Sequence, residues 1–245
     1  MDNNTLLLRQ NLITFNTGID NMDEMCLKGL DEISKREVTI GNEYELGIRL
    51  QELLKKKNYD AALACFDKLH LREGYNMKVL LYDPKSDEAW ENAGAPSYVI
   101  ITASDGETYR NTDEAFWKCF SVKNTIEAIW QAVLLYNLWY YLPMYWHAAY
   151  ERRDFIYTQE QLQELQRGYR NSKRAAGFSA MVFDVVPRIW IDEEGTYYAM
   201  VCYWTIFGGL LKSKYVIITH KEENYMSITE YGAEHLYSYR TGIML

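Results

Sequence analysis

The chain has 245 residues, of which 48% are hydrophobic and 24% charged, with 4 Pro and 14 Gly. That is ordinary globular composition, and it excludes a disordered or collagen-like chain. An excess of 34 acidic over 26 basic side chains gives a formal charge of −8, which excludes a general binder of the nucleic-acid backbone. Aromatics reach 15%, with 21 Tyr outnumbering Phe and Trp together. Tyrosine suits strands, half-wet cores and binding surfaces alike. Cys26, Cys65, Cys119 and Cys202 are scattered, which is the pattern of neither a disulfide framework nor a zinc site. The start, MDNNTLLLRQ, lacks the basic and apolar regions of a secretory signal, so a cytoplasmic location is expected.

Asp20 or Asn21 can cap a helix running to about Glu37. A second helix is expected from Asn42 through Leu46, Leu50, Leu53 and Leu54 to Lys55–Lys57, and a third from Tyr59 to Leu69. The spacing from Leu46 to Leu69 resembles one tetratricopeptide-type helical hairpin. No partner repeat falls near Lys28 or Pro96, so a single hairpin docked on the rest is expected, not a solenoid. Met77–Tyr82 and Tyr98–Ala103 read as strands, closed by Asp83–Pro84 and Asp105–Gly106.

Thr112 or Asp113 can cap a short helix through Phe120, and Asn124 a longer one through Tyr141. From Ala128 to Tyr150 there is no Asp, Glu, Lys or Arg, a length that could span a bilayer. Gln131, Asn137, Pro143 and His147 interrupt it, so a buried helix broken near Pro143 is expected, and no membrane contact. Met144–Ile156 is expected to be helical after the proline, and another helix runs from about Thr158 to Arg170.

Four strands close the chain: Ser179–Ile191, Thr196–Phe207, Leu210–His220 and Tyr225–Tyr231. Loops this short make an antiparallel meander. The fold expected is therefore α+β: an N-terminal helical hairpin region, central helices, and a four-stranded antiparallel meander extended by one or two further strands. Residues 1–75 are expected as a helical region packed on the main body, and 76–245 as the α+β domain carrying the antiparallel sheet.

Turn length sets register, and register sets which side chains share a face. A two-residue Gly208–Gly209 turn pairs Trp204 with Ser213, Cys202 with Tyr215 and Met200 with Ile217. The three-residue turn ending at Gly195 pairs Trp190 with Tyr198, Arg188 with Met200 and Asp184 with Trp204. The last loop sets Tyr225 opposite His220 and Glu230 opposite Tyr215. One face then carries Phe183, Val185, Ile189, Ile191, Tyr197, Ala199, Val201, Tyr203, Val216 and Ile218 as core. The other gathers Asp184, Arg188, Trp190, Tyr198, Met200, Cys202, Trp204, Tyr215, Ile217 and Glu230. Aromatic walls with a few ionisable groups are the mixture of a ligand pocket or a protein interface.

The chain contains no Walker loop, GxGxxG, HExxH or GxSxG. His147, Glu151 and Asp154 would share one face of a continuous helix. They are the metal-site candidate, although Arg152 and Arg153 offer the carboxylates plain salt-bridge partners and no metal or other cofactor is expected. The leading expectation is a soluble, non-catalytic protein that binds a partner protein or a small ligand through the aromatic-rich face, with Trp190, Tyr198, Trp204 and Tyr215 as the contact residues. An acidic chain favours a basic partner, for instance a toxin neutralised by an immunity-type protein. A homodimer is also compatible with an aromatic surface. The alternative is a small hydrolase or isomerase using Asp184 or Glu230 as general base, with Arg188 holding an anion.

Overall fold

A computed structural model describes residues 35–38, 40–81, 97–122, 125–144, 152–172, 175 and 177–238. Most of the first expected helix lies outside them. Its end does not remain helical: Lys35–Val38 is strand β1, an edge strand hydrogen-bonded to a later strand. Helix α1, Tyr44–Lys55, buries Gly47, Leu50, Gln51 and Leu54 and ends on Lys55, where a cation suits the helix C-terminus. Helix α2, Tyr59–Leu63, starts at Asn58, whose side chain accepts from the Ala61 N–H. It stops short of the expected Leu69. The Lys68 N–H turns instead to Gln131 Oε1 at 2.9 Å, and Leu69–Leu71 forms the short strand β2.

Strands β3 (Tyr75–Leu80), β4 (Tyr98–Ala103) and β5 (Thr108–Arg110) make a three-stranded antiparallel sheet in that order. Helix α3 spans Glu114–Lys118, and β6, Phe120–Val122, pairs with β2. Helix α4 covers Ile126–Tyr136, and Thr125 is its cap, accepting from the Ala128 N–H. Every residue from Ala128 to Leu135 is buried. A helix buried over these two turns is the central core helix, with Gln131 satisfied by Lys68 and Asp67, and its 11 residues are too few to cross a bilayer. A single 3₁₀ turn, Leu138–Tyr141, follows it, and Leu142 before the proline is extended. No helix among the described residues is long and apolar enough to cross a membrane.

Strand β7, Asp154–Ile156, overturns the helical expectation for the end of Met144–Ile156. Helix α5 spans Gln159–Gly168 with Thr158 as cap. Phe178–Ala180 is a 3₁₀ turn where a strand was expected, and β8 begins only at Arg188, running to Asp192. Strands β9 (Tyr197–Thr205), β10 (Gly209–His220) and β11 (Tyr225–Tyr237) complete the meander. The six-stranded sheet has the order β1-β8-β9-β10-β11, and β7 pairs with β9 at Cys202–Trp204, beyond the stretch that β8 covers. The expected extension by further strands is thus β1 and β7.

The β8–β9 and β10–β11 registers are as expected, with Trp190 opposite Tyr198, Arg188 opposite Met200, His220 opposite Tyr225 and Tyr215 opposite Glu230. The β9–β10 register is not. Thr205 pairs with Gly209, Cys202 with Lys212 and Met200 with Lys214, because Ile206–Phe207–Gly208 forms a three-residue loop. The Gly208 N–H donates to Thr205 Oγ1 at 2.8 Å, and Gly209 takes φ +82°. A Cβ on Gly209 would lie 2.1 Å from the Tyr237 carbonyl oxygen. That glycine is required by the approach of β11 as well as by the turn. The offset from expectation is odd, so each β10 side chain exchanges face.

On the inner face Ile189, Tyr197, Ala199, Val201, Tyr203, Leu211, Tyr215 and Ile217 join the main core with α1 and α4. On the outer face Cys202, Trp204 and Leu210 pack with Phe178, Val185 and Leu162, and Tyr198, Val216 and Tyr231 form a separate small cluster. Val216 and Ile218, expected in the inner core, belong to that outer cluster.

Candidate functional site

The outer face holds a cavity of about 400 Å³ on β1 and β8–β11. Its apolar lining comes from Trp190, Tyr198, Met200 and Tyr231; Lys35, Arg188, Lys212 and Lys214 bring four cations, and Asp184 one carboxylate. Strand alternation explains the grouping. Arg188, Met200 and Lys214 stand side by side across three strands, and Lys212 is two residues from Lys214 on the same face. Tyr198 is held at its hydroxyl, which donates to Asp192 Oδ2 at 3.0 Å. Asp192 Oδ1 in turn accepts from the Glu194 and Thr196 N–H groups, so the β8–β9 turn and the ring are fixed together. Lys35 places Nζ 4.2 Å from the Tyr198 ring centre, a cation–π contact.

Ion pairs run around the cavity. Arg188 donates to Asp184 and, at 3.3 Å, to Glu37 Oε2. Lys212 Nζ lies 2.7 Å from Glu234 Oε2. All these pairs are partly exposed, so they position side chains more than they stabilise the fold.

Glu230 and Tyr215 lie on the opposite, inner face. Arg153 Nη1 donates to both Glu230 oxygens at 2.9 and 3.0 Å, and Ser213 Oγ also donates to Glu230. The guanidinium sits between the rings of Tyr140 and Tyr203, 3.9 and 4.4 Å from their centres. Tyr215 is buried and donates to Asn137 Oδ1 at 2.9 Å. Burial pushes the Tyr136 hydroxyl up to about 12 and raises those of Tyr140 and Tyr215. These phenols are therefore neutral, and the arrangement is a satisfied internal ion pair.

Of the contact residues expected from sequence, Trp190 and Tyr198 line the cavity. Trp204 does not: its Nε1 donates to the Tyr169 hydroxyl at 3.2 Å and its ring packs on Phe178. Asp184 and Arg188 are together, four residues apart and paired. Asp184 does not face Trp204 in the sheet, because Trp204 pairs with Asp154. Lys35, Lys212, Lys214 and Tyr231 escaped the sequence reading. The alternation Lys212–Ser213–Lys214 in an apolar strand was the available signal.

Of the helical metal candidates only Asp154 is among the described residues, and it is not on a helix. Asp154 is on strand β7, paired with Arg152 at 3.7 Å, and His147 and Glu151 lie outside the described residues. No group of three or more metal-ligating side chains occurs among the described residues. Cys202 is buried, which pushes its thiol up to about 12 and leaves it unreactive.

A larger cleft of about 750 Å³ lies near Gln51, Tyr141, Phe155 and Gln161. Gln51 Nε2 donates to the Tyr141 hydroxyl and to the Phe155 carbonyl, and Gln161 Nε2 donates to Gln51 Oε1. Met144 and Arg152 on its rim flank residues 145–151, which are outside the described residues.

Comparisons of the chain with protein-family models, with curated proteins and with solved structures found no match.

Proposed function

We propose that the protein binds a small ligand in the outer-face cavity. One observation carries the reading: on a chain with a formal charge of −8, four cations gather around an aromatic-lined hollow. Its volume of about 400 Å³ falls among those of ligand pockets, roughly 300–1,000 Å³. Concavity favours a small molecule over a flat protein partner. The catalytic alternative has less support, since Glu230 is engaged on the other face and Asp184 is paired with Arg188.

Ligand-detected NMR with a library of small aromatic fragments tests this. Fragments are expected to bind the wild type and to lose binding in Met200→Trp, which fills the cavity from its lining. Thermal melts establish that the variant is folded, and Tyr231→Trp serves as a second filling variant. Equal binding to wild type and filled variants, or no binding to the wild type, would overturn the proposal.

A further inference from the structure

The larger cleft is separate from the outer-face cavity, and the two share no lining residue. Its volume of about 750 Å³ also falls within the roughly 300–1,000 Å³ of small-molecule sites. Strand β7 pairs with β9 along one edge, and two glutamines cap the other. Gln51 Nε2 donates to the Phe155 carbonyl at 2.7 Å, and Gln161 Oε1 accepts from the Tyr157 N–H at 2.7 Å. A backbone carbonyl only accepts and a backbone N–H only donates, so both amides have one possible orientation. Gln161 Nε2 then donates to Gln51 Oε1 at 3.0 Å, and the other Gln51 N–H goes to the Tyr141 hydroxyl at 2.8 Å.

Two hydrogens at this floor are left over. Gln161 Nε2 carries two, and among the described residues Gln51 Oε1 is its one acceptor. The Tyr141 and Tyr157 hydroxyls lie 3.0 Å apart. Burial raises the pKa of both phenols, so each keeps its proton at neutral pH. Two protons thus share one contact. The spare proton on Tyr157, which is 2% exposed and does not line the cleft, would be buried without an acceptor. On Tyr141, which lines the cleft, it opens onto free space, and that arrangement avoids the penalty of a buried unpaired donor. Gln161 and Tyr141 both bond to the Gln51 amide, so the two spare donors stand on one stretch of floor.

We propose that this cleft takes a neutral, largely apolar molecule that presents a carbonyl oxygen to Gln161 and Tyr141. Leu54, Leu142, Phe155 and Ile156 supply the apolar wall. The charged groups stand at the rim on exposed side chains. Asp154 pairs with Arg152 and Glu164 with Arg167, while Lys55 and Lys57 are exposed at the C-terminal end of α1. A charge carried to the floor would lose its water and meet no counter-ion. A carbonyl oxygen has two lone pairs, which matches two donors.

Fluorescence titration with the neutral ketone 6-propionyl-2-dimethylaminonaphthalene tests the proposal. The comparison probes carry a propyl group or a carboxylate in place of the propionyl group. The ketone is expected to bind about fivefold or more tightly than the propyl compound, through its added hydrogen bonds, and more tightly than the carboxylate. Tyr141→Phe is expected to cut the ketone's advantage to about twofold, with the propyl compound near its wild-type affinity. If that variant does not fold, the wild-type ratio alone decides. Leu165→Trp and Met144→Trp fill the cleft from α5 and from its rim, and melts establish that they are folded. Both are expected to lose the ketone. Met200→Trp, in the outer-face cavity, is expected to leave ketone binding unchanged, so the two sites stand or fall separately. Equal binding of ketone and propyl compound overturns the role of the two donors. A carboxylate that matches the ketone overturns the choice of a neutral ligand. Ketone binding that survives both filling variants, or no ketone binding to wild type, overturns the site itself.

Discussion

Replacing Val133 by Asp tests whether α4 is the central core helix. Val133 is 0% exposed and packs in the main core. An aspartyl side chain there stays protonated in the fold, because burial penalises its charged form. In the unfolded chain it titrates near ~3.9. Keeping it neutral at pH 7 costs about 1.4 kcal/mol for each of roughly three pH units, or about 4 kcal/mol. Lost apolar contact adds about 1 kcal/mol. The total approaches the whole stability of a small domain, about 5–15 kcal/mol. The folded pKa is raised, so the penalty vanishes below the unfolded value and grows as pH rises. At pH 5 the ionisation part falls to about 1.5 kcal/mol. Urea unfolding of Val133→Asp against wild type is expected to give a difference about 2.5 kcal/mol smaller at pH 5 than at pH 7. Val133→Ala is expected to lose about 1–3 kcal/mol at either pH. A Val133→Asp loss below about 1 kcal/mol, or one independent of pH, would refute the placement.

Glu230→Gln leaves Arg153 without its carboxylate at a site where both side chains are about 15% exposed, and a loss of about 2–4 kcal/mol is expected by chemical denaturation. Salt at 0.5 M is expected to change that loss little, since a buried pair is weakly screened. Gly47→Ala brings a Cβ to 2.7 Å from the Tyr157 ring. Although Ala favours a helix by about 1 kcal/mol, overpacking of about 1–3 kcal/mol wins, so the melting temperature is expected to fall. His220 is hydrogen-bonded to Ser227 and stacked on Tyr225, and burial lowers its pKa. Its contribution is present above its unfolded value, near ~6.5, and is lost as pH falls through the folded one. Stability measured from pH 8 to pH 5 is therefore expected to fall less in His220→Gln than in wild type.

Much of the fold could be read locally. Helix α5 starts at Thr158, the chain breaks from helix before Pro143, and the β8–β9 and β10–β11 registers follow from loop length. What escaped was set by distant contacts. A Gly-Gly pair fits a two-residue turn, but the Gly208 N–H donates to Thr205 Oγ1 and that glycine joins a three-residue loop, while Gly209 packs on the backbone of Tyr237, far along the chain. Strands β1 and β7 have four and three residues. They are stabilised by the sheet edge they join, so their own sequence carries little signal. The candidate site was half legible for the same reason. Trp190, Tyr198, Asp184 and Arg188 depend on the β8–β9 turn and the loop before it. Lys212, Lys214, Tyr215 and Glu230 depend on the β9–β10 loop.

Strand β10 shows how one sheet serves both faces. Its stretch Lys212–Ser213–Lys214–Tyr215 is polar for a central strand flanked by β9 and β11. Alternation sends Lys212 and Lys214 outward to the cavity. It sends Ser213 and Tyr215 inward, each 0% exposed, to Glu230 and Asn137. Buried hydroxyls without partners would each cost about 1–3 kcal/mol; here both are satisfied by the inner network. The two lysines avoid burial by opening onto the hollow. An apolar residue at 213 or 215 would leave Glu230 or Asn137 short of a partner, whereas apolar residues at 212 and 214 would leave the inner network intact. The inner network therefore places no demand on residues 212 and 214, and their charges belong to the outer face alone.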